Sequence, residues 1–217
     1  MSDTNERDRT VGEIAATVAG ATAVFRKHKI DFCCGGNVPL DEAARAAGVD
    51  PATIEAELAG LTQITPDAPR ESVALVDYIV VHYHDAHRRE LPELVRLARR
   101  VEVVHRDHAA VPAGLADALE VAQEGLKDHM QKEEQIIFPA IRSGYDGSLF
   151  APIRVMRHEH DGHASIIREL QTRCHGFDLP EGACRSWQAL YAGVEKFVTD
   201  LTDHIHLENN VLFPRFE

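Results

Sequence analysis

Two stretches of the chain repeat one pattern of histidine, glutamate and phenylalanine-proline. They read HMQKEEQIIFP, beginning at His129, and HIHLENNVLFP, beginning at His204. In both, the glutamate stands fifth and Phe-Pro closes the run. Residues four positions apart lie on one face of an α-helix, so His129 can point the same way as Glu133, and His204 the same way as Glu208. The pattern predicts two helices that each carry an imidazole beside a carboxylate.

A second doubled motif, HxHDxH, occurs as HYHDAH and as HEHDGH. Its middle histidine, His84 or His160, falls on a stripe of apolar residues spaced three or four apart, which is typical of the inner face of a helix. The first histidine is rotated by about 200° from the middle one and is expected to face solvent. The third, His87 or His163, shares the inner stripe. We expect this third pair to lie behind the middle pair or to line a channel.

The spacing of these motifs divides the chain into two matching helical hairpins. His129 follows His84 by 45 residues, and His204 follows His160 by 44. Four long segments with helical periodicity and short connections predict an all-α fold, an antiparallel four-helix bundle over residues 73–217. An approximate twofold axis would relate the two hairpins.

Six polar side chains inside such a bundle need compensation, because an unpaired polar group in an apolar interior costs several kcal/mol. Four imidazoles and two carboxylates are too many for one tetrahedral zinc ion, but they suit two six-coordinate ions bridged by both carboxylates. Room remains for a solvent-derived bridge and an open position. Nitrogen and oxygen ligands without thiolate favour iron or manganese, and iron if a diatomic gas binds. The predicted ligands are His84, His129, Glu133, His160, His204 and Glu208, with His87 and His163 kept as alternatives.

Two acidic residues next to the predicted ligands are not part of the pattern that the two hairpins share. Glu159 lies beside His160 and is a candidate for orienting a ligand or for binding iron on its way out, with a solvated helix face as the alternative. Glu134 is matched by Asn209 in the other hairpin, so neither belongs to the shared pattern. Apart from Glu133, the run KEE is expected to be a solvated helix face.

Residues 1–64 predict a small helical domain, because short helical segments alternate with glycine turns. Asp50 and Pro51 form a helix start, with aspartate in the capping place and proline at the first helical position. Residues 65–72 contain two prolines and several polar residues and are interpreted as a linker.

The motif DFCCGG places Cys33 and Cys34 at a turn in this small domain. Two interpretations stay open: a thiol pair that exchanges with a partner, accepts iron or nitric oxide, or is oxidised under stress, and a small apolar pair in a tight turn. Adjacent cysteines are expected to chelate one ion only with difficulty. Cys174 and Cys184 are expected to be free thiols, since the four cysteines form no CxxC pair and no disulfide framework.

The composition excludes several classes of partner. Among 217 residues, 35 are acidic and 23 basic, which gives a net charge of -12. Such a surface repels nucleic acid and acidic lipids.

No apolar run approaches the roughly 20 residues of a membrane helix. The start, MSDTNERDRT, has no apolar core of a secretory signal, so a cytoplasmic location is expected.

Taken together, HDxH, HxxxE-x4-FP and DFCCGG resemble the bacterial repair of iron centres family, whose bundle is similar to haemerythrin. The resemblance implies a non-haem di-iron site at the six predicted ligands, carboxylate-bridged and with an oxo or hydroxo bridge. It also implies repair of iron-sulfur clusters damaged by nitric oxide or peroxide, with iron-sulfur proteins or their assembly scaffold as iron acceptors. Nitric oxide reduction or scavenging at the centre, and sensing of O2 or nitric oxide, are the alternatives, so enzymatic activity and a homodimer stay open.

Overall fold

The computed structural model describes residues 9–61, 68–145 and 147–217, and these residues fold almost entirely as helices. Within those ranges there is no strand, only an isolated bridge between Thr10 and Pro39. The all-α prediction is confirmed. The predicted linker, 65–72, falls partly outside the described residues, and its boundary with the small domain stays a prediction.

Between residues 9 and 61, the part of the N-terminal unit that the structure describes, four short helices surround an apolar core, which includes Ile14, Phe25 and Ile54. Thr10 accepts a hydrogen bond from the backbone of Glu13, and the Glu13 side chain accepts one from the backbone of Thr10, so the first helix begins with a capping box. Asp50 caps the fourth helix, as predicted. The helices are α1 Val11–Thr17, α2 Ala21–Lys27, α3 Leu40–Ala46 and α4 Pro51–Ala59.

Four long helical rods follow, and three of them are interrupted by a π-helical turn. The first rod is α5 Ser72–Ile79, a π turn Val80–His84 and α6 Asp85–Val104. The second is α7 Leu115–Lys132, a π turn Glu133–Ile137 and α8 Phe138–Arg142. The third is α9 Phe150–Arg173, and the fourth is α10 Arg185–His206, a π turn Leu207–Leu212 and a final 3-10 turn Phe213–Arg215. Another 3-10 turn, His175–Phe177, follows α9.

The rods pack in chain order into a closed ring, α6 against α7, α7 against α9, α9 against α10, and α10 against α6. Two apolar layers fill the ring. One contains Trp187 and Phe197, and the other contains Phe138 and Phe213. Along every rod, the predicted metal ligands lie between residues of these two layers, so apolar side chains shield the polar centre above and below. No helix in the described part of the chain is long and apolar enough to span a membrane.

The Phe-Pro ending of the repeated motif has a backbone explanation. Phe138 donates its N–H to the carbonyl of Glu133, and Phe213 donates to the carbonyl of Glu208, five residues back in each case. The following proline has no N–H and its ring would clash with the carbonyl four residues earlier. A wider π turn relieves that conflict, and such turns are frequent at functional sites. The motif therefore fixes the backbone of each central glutamate as well as its side chain.

The N-terminal unit packs closely on the fourth rod. Asn210 donates to the carbonyl of Phe32 at 3.0 Å, and Arg26 forms an ion pair with Asp203. Gly36 lies so near that an added Cβ would be 2.5 Å from Asn210 Oδ1 and 2.9 Å from a backbone carbonyl of its own loop. Only glycine allows this approach.

Gly36→Ala is therefore expected to loosen the N-terminal unit from the bundle. The added methyl overpacks the contact, which typically costs about 1–3 kcal/mol, and the half-buried thiol of Cys34 should react faster with a thiol reagent. Thermal unfolding and labelling kinetics measure the two effects. Gly60→Ala is the matched control, because an added Cβ there meets no atom closer than 3.4 Å. Equal labelling rates in the two variants would contradict the interpretation.

Candidate metal centre

Two sets of ligand-type atoms meet in the middle of the bundle. Within each set all ligand atoms lie within 4.8 Å of one another, and every member is buried. The first set is His84, Glu133, His204 and Glu208; the second is His129, Glu133, His160 and Glu208. The structure thus brings all six predicted residues together, and both glutamates belong to both sets.

Each glutamate faces the two sets with a different oxygen. Glu133 Oε2 lies 3.5 Å from His84 Nε2, and its Oε1 lies 3.4 Å from His129 Nε2. Glu208 repeats this arrangement, with 3.1 Å from Oε1 to the histidine of the fourth rod and 3.2 Å from Oε2 to that of the third. This is the placement that two bridging carboxylates require.

The Nε2 atoms of the four histidines face each other in two close pairs. His84 Nε2 lies 3.1 Å from His204 Nε2, and His129 Nε2 lies 3.0 Å from His160 Nε2. Two ligands held at about 2.1 Å from one ion and at right angles are about 3 Å apart. The pairs therefore have the separation of neighbouring ligands on a six-coordinate ion.

Buried oxygens without partners support the same interpretation. Among the described residues, both oxygens of Glu133 and both oxygens of Glu208 make no hydrogen bond, although all four are shielded from water. The imidazoles approach them at 3.1 to 3.5 Å but not along a hydrogen-bonding direction. Buried carboxylates without compensation are costly, and a metal ion would satisfy them. The donor set fits two cations.

The protonation states of the central residues also favour the binding of cations. Burial and the neighbouring His84 keep the pKa of His204 well below its usual value, so His204 is neutral and able to coordinate. Burial opposes ionisation of Glu208, yet His160 keeps its pKa lowered, so it is a carboxylate. Burial lowers the pKa of His129, but the neighbouring carboxylates, chiefly that of Glu133, outweigh burial and raise this pKa to about 9. Negative charge buried here attracts cations.

Three of the four histidines are held by a hydrogen bond from Nδ1, the ring nitrogen that faces away from the centre. Nδ1–H of His84 donates to Glu134 Oε1 at 2.7 Å, and that of His129 donates to Glu159 Oε2 at 3.0 Å. His160 Nδ1–H donates to an amide oxygen at 2.9 Å. When such a ring is neutral and carries its proton on Nδ1, the lone pair of Nε2 points to the centre. Such outer partners fix the tautomer and orientation of metal-binding histidines.

The expectation that Glu134 is part of a solvated face was wrong. The sequence comparison sets Glu134 and Asn209 aside because their side chains differ, but each directly follows a central glutamate and each accepts the Nδ1–H of a histidine on another rod. A carboxylate and an amide both supply the acceptor oxygen. The hydrogen bond from His84 also lowers the pKa of Glu134 and keeps it ionised. The shared feature is an acceptor, which a comparison of residue types does not reveal.

The fourth histidine lacks this support, so the centre is not symmetric. His204 Nδ1 is buried with no hydrogen-bond partner in the described part of the chain. In place of a counterpart to Glu159, the chain has Tyr83, whose ring stacks on His204 with 5.6 Å between centroids and 4° between planes. The His129 and His160 side is therefore held more rigidly than the His84 and His204 side.

His87 and His163 are buried beside the centre but join neither set. Their ring centroids lie 5.5 Å from that of His204 and 4.8 Å from that of His129, respectively. The Nε2 atom of each has no partner among the residues that the structure describes. Burial lowers the pKa of His163 to about 3 and that of His87 well below its usual value, so both are neutral. The first histidines of the motifs are exposed, as expected.

Asn209 joins the centre to the cysteine loop of the N-terminal unit. Its Oδ1 accepts from His160 Nδ1–H at 2.9 Å, and its Nδ2 donates to the carbonyl of Cys33 at 3.2 Å. The two residues that it connects are 127 positions apart in the sequence, so nothing in the local pattern predicts the contact.

Asn209→Leu is expected to lower iron affinity by about 10- to 100-fold, the usual effect of losing an outer partner of a metal-bound histidine. Asn209→Asp keeps an acceptor oxygen, as Glu134 does, and should recover most of the lost iron affinity. Competition with a calibrated iron chelator measures both variants. Equal affinities of the leucine variant and the unmodified protein would remove Asn209 from the positioning role.

Comparisons with known proteins cover nearly the whole chain. Residues 75–216 match the hemerythrin HHE cation binding domain, and residues 7–62 match ScdA_N, a domain of unknown function. The chain is 45% identical to an iron-sulfur cluster repair protein YtfE of Pectobacterium carotovorum over 213 residues, 96% of each chain. It is 44% identical to the protein of that name from Musicola paradisiaca and 43% identical to that from Escherichia coli O8, with 96% of both chains covered in each comparison.

Proposed function

Because this chain belongs to the hemerythrin HHE cation-binding family, and within it to the iron-sulfur cluster repair proteins, we propose that it restores damaged iron-sulfur clusters by supplying iron from its buried centre. The observation that carries the proposal is the pair of ligand sets that share Glu133 and Glu208. Damage by nitric oxide or peroxide would create the demand for iron. The acceptors would be iron-sulfur proteins or their assembly scaffold, in the cytoplasm, where the four free thiols stay reduced.

The centre would hold two iron ions, each with two histidines and one oxygen from each bridging glutamate. A solvent-derived oxo or hydroxo bridge would complete the link. Nitrogen and oxygen donors without sulfur suit iron, and iron there can pass between the divalent and trivalent states. Divalent iron binds such donors less firmly than copper or zinc does, so a reduced centre is suited to giving iron up.

Direct transfer is tested with an enzyme whose iron-sulfur cluster has been damaged by nitric oxide. The iron-loaded protein, a reductant and a source of sulfide are added, with a chelator that captures any ferrous iron free in solution. We expect activity to return faster and more completely than with the same amount of ferrous salt. Recovery no better than with the salt would overturn iron donation. Glu124→Leu, on the exposed face of the second rod, is a control that should repair normally.

Capture or reduction of nitric oxide is the second candidate, and one observation favours it. His87 and His163 border the centre with unpaired, neutral imidazoles, where a small ligand at an open iron position would meet hydrogen-bonding groups. Nitrous oxide released per protein distinguishes the outcomes. Many turnovers would support a reductase, whereas a single-turnover yield would leave only a scavenger.

A further inference from the structure

The cysteine loop of the N-terminal unit arranges three ligand-type side chains around one point. Atoms of Asp31, Cys33 and Cys34 lie within 4.8 Å of one another. Asp31 Oδ1 accepts the backbone N–H of Cys33 at 3.2 Å and that of Cys34 at 3.0 Å. This double hydrogen bond bends the loop so that the two thiols are neighbours, with 3.8 Å between the sulfur atoms.

The distance between the sulfurs matches a known coordination geometry. In a tetrahedral site with metal–sulfur bonds of 2.3 Å, two sulfur ligands are about 3.8 Å apart. Adjacent cysteines are expected to reach this geometry only with difficulty, but the turn around Asp31 provides it before any ion is bound. Cys33 Sγ also lies 3.4 Å from Asp31 Oδ1, so a carboxylate is within reach as a third ligand.

The bundle holds this loop in place. Asn209 donates to the carbonyl of Cys33 at 3.2 Å, and Asn210 donates to the same carbonyl at 3.4 Å. Cys34 Sγ donates to the carbonyl of His160 at 3.6 Å. A loop fixed by contacts with a different domain loses little conformational freedom when it binds an ion, and this raises affinity.

Access differs among the three side chains. Cys33 is buried, Cys34 is half-buried and Asp31 is exposed, so an ion can enter from solvent on the aspartate side. The neighbouring Cys34 sulfur, burial and Asp31 together raise the pKa of the Cys33 thiol. Cys33 is therefore a poor source of free thiolate for nucleophilic attack, but a cation would displace its thiol proton and offset the burial.

We propose that Asp31, Cys33 and Cys34 form a second metal site, which binds one divalent cation of the zinc or ferrous class through two thiolates and one carboxylate. Binding releases one proton from each thiol, and the fourth position faces solvent. In iron donation this site would give ferrous iron a place near the protein surface, a role that rests on the proposed function. The binding of the cation itself does not depend on that function.

Cobalt(II) is the probe, added to the full chain after its buried centre has been loaded with iron and its thiols reduced. Tetrahedral cobalt with thiolate ligands gives intense visible and charge-transfer absorption, whereas cobalt bound by nitrogen and oxygen in six-coordinate sites absorbs weakly. We expect one intense cobalt site per chain. Because two protons are released, affinity should rise by up to about 100-fold per pH unit near neutrality.

Three variants locate the site. Cys33→Ser with Cys34→Ser should abolish the intense bands, and Cys174→Ser with Cys184→Ser should keep them. Asp31→Asn retains an oxygen acceptor for the two backbone N–H groups, so the loop keeps its shape, while the charged ligand is lost; affinity should fall about 10-fold or more. Absence of the bands in the unmodified protein, or their persistence in the Cys33 and Cys34 variant, would overturn the proposal. Iron content and cluster repair are measured separately, so failure here does not decide the proposed function.

Discussion

Glu133→Leu and Glu208→Leu are each expected to destroy the proposed two-iron centre, so that the chain binds one iron or none instead of the two expected of the unmodified protein. Each glutamate contributes one oxygen to each ligand set, so a single substitution removes a ligand from both ions at once. Loss of one histidine would instead affect one ion directly. Leucine has nearly the volume of glutamate, and it sits between two apolar layers, so the bundle should still form.

Iron analysis and Mössbauer spectroscopy measure this outcome, with circular dichroism as a check of the fold. Glu133→Gln provides a second variant that keeps the shape and polarity of the side chain while removing its charge. Glu124→Leu is the matched control on the same rod, where the side chain is exposed, and it should bind two irons. Full iron content in both leucine variants at the central positions would show that the two glutamates are not bridging ligands.

Removing iron from the unmodified protein is expected to lower its melting temperature by on the order of 10–20 °C. A buried polar group left without a partner costs about 1–3 kcal/mol, and among the described residues the centre contains four such carboxylate oxygens, which iron would satisfy. A loss of on the order of 5 kcal/mol corresponds to a shift of this size for a chain of 217 residues. The ligands come from four different rods and meet only in the folded chain, so iron bound there would stabilise the fold by mass action.

Calorimetry of iron-loaded and chelator-treated protein gives the shift, and re-addition of ferrous iron should reverse it. In Glu208→Leu the same treatment should change the melting temperature little, because that variant has no complete centre to lose. A shift below about 2 °C in the unmodified protein would show that the buried carboxylates are satisfied by some other means.

The bundle and the six central residues could be predicted because their spacing follows the helical period and because the same motifs occur in both hairpins. A histidine and a glutamate four residues apart must share a helical face, and a second hairpin with the same spacing makes coincidence improbable. His84 and His160 were found in the same way, from their places on apolar stripes. The structure places all of these side chains in one buried cluster.

Glu159 is a candidate from the sequence, but the histidine that each outer partner contacts could not be predicted, because these are contacts between rods rather than patterns along one rod. Glu134 reaches His84 across 50 positions, and Glu159 reaches His129 across 30. Which faces of two rods meet depends on packing throughout the bundle. The equivalence of Glu134 and Asn209 could not be predicted for a different reason. The two residue types differ, but each accepts the Nδ1–H of a histidine.

The π turns of the second and fourth rods also escaped prediction, although their cause is in the sequence. Phe-Pro at the end of each repeated motif marks the place where a regular helix cannot continue. The widened turn begins at Glu133 in the second rod and contains Glu208 in the fourth. Apolar residues spaced by three or four predict ordinary α-helix through these stretches and do not reveal a turn that holds one extra residue.

The most direct test of the account is an anomalous difference map from crystals of the iron-loaded protein, with data collected at the iron absorption edge. Two peaks about 3.5–4 Å apart are expected, one at the His84 and His204 nitrogens and one at the His129 and His160 nitrogens, with Glu133 and Glu208 between them. A single peak, or iron bound away from these glutamates, would contradict it.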